Sequence, residues 1–151
     1  MKILLAVDGS AYSNAAVEEV ARRPWSPQSE VKVITAAETP IIVGMEPWAA
    51  SPEYFEHLEK SVRDAAKGVI ESTLVKLKTT EDKSLKLSSE IIQGSPRQVI
   101  VEEAESWGAD LIVMGSRGLG RWNRLLLGSV SNSVVHHAHC SVEIVRRPSA
   151  N

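Results

Sequence analysis

From Ile3 to Val7, and again from Leu111 to Met114, every residue is apolar, with no polar side chain in alternation. A strand with one face in water alternates with period two, whereas a strand apolar throughout is covered on both faces. These two segments therefore ask for a parallel sheet held between two layers of helices. The rest of the chain supplies the layers. Strand-like and helix-like patterns alternate along its length, which predicts an open α/β fold, a single domain with a five-stranded parallel sheet and helices on both faces, Rossmann-like.

The first strand, Lys2–Val7, ends in Asp8-Gly9-Ser10, where Ser10 or Ser13 is available as a helix cap. Ala15, Ala16 and Val20 then repeat at helical spacing until Pro24. Val31–Ala37 reads as the second strand, completing a βαβ unit with a right-handed crossover. Residues 38–51, broken by Pro40, Gly44 and Pro47, predict no regular element and exceed the usual βα connection. Their Ile41, Ile42, Val43, Met45 and Trp48 leave two readings open: a segment tucked onto the domain's own surface, or a lid or partner contact. Ser51-Pro52-Glu53 starts a helix with proline at its first position. Tyr54, Leu58, Val62, Ala65, Val69, Thr73 and Leu77 mark one face of it, to about residue 78. A polar turn from Thr79 to Ser84 precedes a third strand, Leu85–Ile92. Gly94-Ser95-Pro96 opens a helix through Val99, Ile100, Ala104 and Trp107, stopped by Gly108. The fourth strand is Ala109–Met114. The last helix follows Gly128, with Val130, Val134, Val135 and Ala138 on one face, and Ser141–Val145 is the fifth strand. The domain is expected over residues 1–147, with 148–151 a frayed tail.

Between the fourth strand and the last helix stand Gly115, Ser116, Arg117 and Gly118, then Arg121 and Arg124, then Gly128, Ser129, Val130 and Ser131. Gly115 and Gly118 let the backbone approach a ligand closely or take φ > 0. Gly128 and Ser129 open a helix whose N–H groups and dipole favour an anion. The convergence of glycines, serines and arginines after one strand predicts phosphate binding. Formal net charge is only −2, so the positive charge is local to this loop. It suits a small anion rather than nucleic acid or an anionic membrane. Asp8 has two readings: a partner for a ribose hydroxyl or for water-held Mg²⁺, or an Asx turn with Gly9 and Ser10. Arg117 either reaches phosphate or stays solvated, and Arg121 and Arg124 are assigned to a solvated face.

The spacing Gly115-x2-Gly118-x9-Gly128-Ser129, with Arg124-Leu-Leu-Leu-Gly-Ser-Val-Ser131 across its end, resembles the nucleotide signature of the ATP-binding branch of the universal stress protein family. The resemblance runs from Met1–Ser10 to Val145 and is weakest over 38–51. It implies strand order 3-2-1-4-5, which sets Asp8 across from Gly115 where the strand order reverses, the place where open α/β sheets bind ligands. ATP with Mg²⁺ is the implied ligand. By that resemblance Ala6, Val7 and Ala36 line the adenine, and the Ala36 backbone reads the base edge. Gly115 and Gly118 lie near ribose and phosphates, while Gly128, Ser129 and Ser131 hold the triphosphate. Met114 and Val130 complete the candidate set. A homodimer through residues 142–145, paired antiparallel across a two-fold axis, is implied as well. Glu143 would then meet its own copy, to be offset by Arg146 or Arg147 of the partner subunit.

His136, His137, His139 and Cys140 invite a metal reading, but positions i, i+1 and i+3 of a helix do not converge. Zinc also needs further ligands, and His57 is the only other histidine. Cys140 is the only cysteine, so no intramolecular disulfide forms and a reducing, cytoplasmic compartment is expected. Met1 leads directly into a strand, with no leader pattern and no apolar stretch of membrane-spanning length. Two function classes remain. One is an ATP-binding, nucleotide-responsive regulatory module in a stress response, with an unidentified protein partner. The other is a slow ATP hydrolase on the same fold. The chain lacks a GxxxxGK[ST] loop and an evident general base beside the glycines, which favours the module.

Overall fold

Strands and helices alternate strictly in the computed structural model, which describes residues 1–39, 51–79, 85–118 and 127–146. The elements are β1 (Lys2–Ala6), α1 (Ala11–Arg22), β2 (Glu30–Ala37), α2 (Pro52–Lys78), β3 (Lys86–Gln93), α3 (Pro96–Trp107), β4 (Leu111–Gly115), α4 (Ser129–His137) and β5 (Ser141–Val145). All strand pairs are parallel, in the order β3-β2-β1-β4-β5. Ala6 lies opposite Ile34 on one side and Met114 on the other. The strand order therefore reverses between β1 and β4.

Leu4 and Leu5 are both wholly buried although neighbours in a strand face opposite ways. Both faces of β1 are thus covered, as its unbroken apolar run requires. Leu5, Val33 and Val113 pack with Val17 and Val20 of α1 and Ile70 and Leu77 of α2. Leu4, Ile34 and Ile112 pack with Val99, Ile100 and Ala104 of α3 and Val134 of α4. Each of these valine, leucine and isoleucine side chains contributes roughly 1.5–3 kcal/mol by leaving water.

Helix boundaries follow from local chemistry. Ser51 Oγ accepts from Tyr54 N and Pro52 begins α2. Gly108, at φ 70°, ends α3 with its N–H donating to the carbonyls of Ala104 and Glu105. Two faces differ from expectation. In α2 the expected Thr73 and Leu77 are buried and Leu58, Val62 and Val69 half-buried, but the stripe turns towards Ala66 and Ile70, leaving Tyr54 and Ala65 exposed. Tyr54 and Phe55 are 43% and 40% exposed and meet edge to face, centroids 6.0 Å apart. In α4, Val134 is buried and Val135 faces solvent, because only one of two adjacent residues can face the sheet.

β5 is an edge strand, but the charge on it is answered within the chain. Arg23, just past α1, donates Nη1 and Nη2 to the two carboxylate oxygens of Glu143 at 2.8 and 2.7 Å. The same guanidinium reaches Glu19 at 2.8 Å and lies 5.1 Å from the Trp25 ring centroid. The expected offset by arginines of a partner subunit is therefore not required. Across the sheet, Lys32 bonds Glu103 and Glu90 at 2.5 and 2.6 Å. Burial works against the lysine's charge, but the two carboxylates outweigh it and raise its pKa. Among the described residues no helix is long and apolar enough to cross a membrane. The expectations for residues 40–50, the turn at 80–84, Arg121, Arg124 and the tail from 147 lie outside the described residues.

Candidate functional site

The C-terminal ends of β1, β2 and β4 and the start of α4 meet at one edge of the sheet. β1 gives way to Asp8-Gly9-Ser10, with Gly9 at φ 79°. Asp8 Oδ1 accepts from Ser10 N at 2.9 Å, which closes an Asx turn. Ser10 Oγ then accepts from Ser13 N at 3.1 Å and caps α1. Ser13 Oγ donates to the Ser10 carbonyl and accepts from Asp8 N, so both serines are used and both are buried. The other carboxylate oxygen, Asp8 Oδ2, sits beside Gly118, where an added Cβ would approach it to 2.6 Å. The two readings of Asp8 are therefore compatible: one oxygen makes the turn, the other faces the glycine loop.

Gly115 has a different reason from the expected one. A Cβ there would stand 2.6–2.7 Å from the backbone of Tyr12 and Ser13. The glycine lets α1 rest directly on the end of β4. The following residue was not singled out from the sequence. Ser116 N extends the sheet by donating to Val145 O at 2.9 Å. Its carbonyl accepts both Gly128 N and Ser131 Oγ, each at 2.9 Å. These bonds close the loop 117–127 at its base. Nothing in a lone serine between glycine positions signals that role.

Gly128 is the N-cap of α4 with extended backbone, φ −64° and ψ 159°. Its glycine identity reflects crowding, since a Cβ would lie 3.3 Å from Arg117 Cα and 3.4 Å from Ser116 O. The first intrahelical bond runs from Asn132 N to Gly128 O. The N–H groups of Ser129, Val130 and Ser131 thus have no acceptor within the helix and form its electropositive end. Ser131 is 2% exposed and its hydroxyl is bonded to the carbonyls of Ser116 and Gly128, so the side chain braces the base of the loop. The Ser129 side chain is exposed.

Ala6 and Met114, buried, and Ala36 and Val130, half-buried, share the α3/α4 face of the sheet. Val7 faces the other way, into the α1/α2 core, and offers this edge only backbone. Its N–H donates to Ile34 O at 3.0 Å and its carbonyl accepts from Thr35 Oγ1 at 3.0 Å. On β2, Ala37 O accepts from Gly94 N on the β3 side. Alternation in a parallel ladder then turns the Ala36 backbone towards β1, beyond that strand's last bond. Arg117 leaves β4 on the α1 side, where its Nη1 donates to Tyr12 Oη at 3.1 Å and its Cζ lies 5.4 Å from the ring centroid.

The histidines diverge. His136 and His137 set their Nδ1 atoms 2.7 Å from the carbonyls of Asn132 and Ser133, one turn back on their own helix. His139 Nε2 faces Glu105 at 3.6 Å. Burial, followed by the charge of Asp110, pushes the Cys140 thiol up. Among the described residues no three potential metal ligands gather.

The family model of the universal stress protein family matches residues 1–146. The chain belongs to the universal stress protein family. Universal stress protein MJ0531 of Methanocaldococcus jannaschii is 33% identical over 147 residues, covering 97% of this chain and 82% of its own. The solved structure of MJ0577, from the same organism, superposes with a TM-score of 0.82 at 27% identity, covering 99% of this chain and 97% of that one. A family member from Arabidopsis thaliana solved with AMP bound has a TM-score of 0.68 at 21% identity, over 99% and 93% of the two chains. The universal stress protein fold of these structures has the strand order observed here.

Proposed function

We propose that this universal stress protein is an ATP-binding regulatory module whose occupancy sets the surface presented by the loop 117–127 to a protein partner. The observation that carries the reading is that the start of α4, bonded to the Ser116 carbonyl, and Asp8 Oδ2, beside Gly118, follow the two strands between which the order reverses. The apolar surface of Ala6, Ala36, Met114 and Val130 suits an adenine ring, and the Ala36 backbone suits its polar edge. Phosphates fit the N–H groups of Ser129, Val130 and Ser131. Asp8 Oδ2 suits a ribose hydroxyl or a water on Mg²⁺. Mg²⁺ ordinarily needs only one or two carboxylates beside the phosphates it accompanies, and Asp8 supplies one beside Gly118. The AMP bound to the Arabidopsis protein supports the adenine nucleotide class.

The β5 edge suits the second element of the reading, a cytoplasmic homodimer. Val142, Ile144 and Val145 are half-buried on a strand with one side unpaired, and Arg23 neutralises Glu143.

Calorimetry with Mg–ATP tests the first element. A micromolar dissociation constant, roughly 8 kcal/mol, is expected, and ATP at a hundred times that constant adds about 2.7 kcal/mol of stability. Neither heat nor a thermal shift at millimolar ATP would overturn the reading. Hydrolysis is expected far below the enzyme median of ~10 s⁻¹. Turnover of several per second, abolished by Asp8→Asn, would establish the hydrolase instead.

A further inference from the structure

We infer that Tyr12 is a positioning residue that holds Arg117 for the outer phosphates, so that the site distinguishes a nucleoside triphosphate from a monophosphate. The inference rests on the nucleotide reading above and deepens it. Tyr12 belongs to the first turn of α1, and its backbone lies against Gly115 so closely that a Cβ there would meet its carbonyl at 2.6–2.7 Å. That contact fixes Tyr12 relative to the end of β4. Two residues on, the Arg117 guanidinium lies over the Tyr12 ring at 5.4 Å and donates to its hydroxyl at 3.1 Å. Meanwhile Arg117 Cα stands 3.3 Å from where a Cβ on Gly128 would be, beside the start of α4.

The arginine thus spans from the electropositive end of α4 to α1. That helix end carries the equivalent of about half a positive charge, enough to favour one phosphate but far short of balancing three. Mg²⁺ offsets part of a triphosphate's further charge, and a guanidinium adds to that offset by presenting five donors in a fork that matches phosphate oxygens. Arginine loses considerable rotamer freedom when it is immobilised. Tyr12 holds it in advance, by ring face and hydroxyl together, and so lowers that cost at the moment of binding. Sequence inspection gave Tyr12 no role.

The experiment is calorimetry of the intact chain with Mg²⁺ and ATP, ADP or AMP, at fixed salt, for wild type, Tyr12→Phe, Tyr12→Leu and Arg117→Gln. Tyr12→Leu should weaken ATP about 3- to 10-fold, the cost of immobilising one long side chain anew, and leave AMP within about twofold. Tyr12→Phe keeps the ring face and should fall between, which guards against misfolding of the leucine variant. In an Arg117→Gln background the Tyr12→Leu change should no longer alter the ATP-to-AMP ratio, because the two residues act as one unit. Equal weakening of ATP and AMP, or an unchanged ratio in a folded Tyr12→Leu protein, would overturn the assignment to Tyr12 alone. A wild-type chain that binds none of the three nucleotides would overturn the nucleotide reading, and this inference with it.

Discussion

Alanine at Gly115 and alanine at Gly68 should move stability in opposite directions, although each change adds one methyl group. At Gly115 the methyl would stand 2.6 Å from the Tyr12 carbonyl carbon and 2.7 Å from both Tyr12 O and Ser13 N. All three are backbone atoms of the first turn of α1, so no side-chain rotation relieves the contact and α1 must move off β4. Overpacking of this kind costs about 1–3 kcal/mol. Replacing glycine returns only about 0.5–1 kcal/mol, through the entropy of the unfolded chain. The net expectation is a loss of roughly 1–2 kcal/mol. Gly68 is exposed in the middle of α2 with nothing within 4 Å of a Cβ, so alanine there gains up to about 1 kcal/mol of helix propensity. The two variants should then differ by about 1–3 kcal/mol, or about 0.5–1.5 M in urea midpoint at a slope near 2 kcal/mol/M. Equilibrium urea unfolding of both variants beside the wild type measures this directly. A Gly115→Ala midpoint at or above that of wild type would refute the claim that this glycine serves the α1–β4 contact.

Gly118→Ala displaces only the end of the Asp8 side chain, so stability should change by less than about 0.5 kcal/mol. ATP affinity should fall about tenfold; unchanged calorimetric affinity would separate Asp8 from the ligand. Hydrogen bonds from Arg23, then from Arg22, hold the Glu19 carboxyl below its ordinary value of 4.5. A carboxylate depressed on folding adds stability above its unfolded pKa and loses it as pH falls through the folded one. The advantage of wild type over Glu19→Gln, under about 1 kcal/mol for a partly exposed pair, should therefore be level above pH 4.5 and vanish below it. Denaturation series across pH would expose the error if the gap persisted undiminished at about pH 2. Ile144→Pro removes a donor from the β5 edge and should convert a micromolar dimer to monomer in sedimentation. A wild-type monomer at ~100 µM, well above a dissociation constant near 1 µM, would end the dimer reading.

Much of the scaffold was legible because its signals are local. The apolar runs of β1 and β4 require cover on both faces, and Ser51-Pro52 and Gly108 carry their own capping chemistry. What escaped depends on docking. Ala65, Ala66, Val69 and Ile70 make a stripe too broad to show where its centre lies, and packing buries Ala66 and Ile70, leaves Val69 half-buried and exposes Ala65. Val134 and Val135 pose the same ambiguity in α4. At the site, the glycine and serine positions could be marked from the sequence but not their reasons. Gly115 answers to Tyr12, and Glu143 to Arg23 at a separation of 120 residues. No spacing rule reaches across such distances.

The bonds to the Ser116 carbonyl turn the chain from Arg117 to Leu127 into a ring hung from a fixed clasp. Ser131 and Gly128 hold that clasp from the α4 side, and the sheet holds it from the other through Val145. Length inside a closed ring is thermodynamically inexpensive, because each doubling adds only about 0.6 kcal/mol of closure entropy. Residues can therefore be inserted or exchanged between Gly118 and Leu127 without moving the helix start or the sheet edge. The clasp separates what can vary from what is held: sequence between its ends is free to change while the start of α4 stays where the Ser116 bonds fix it.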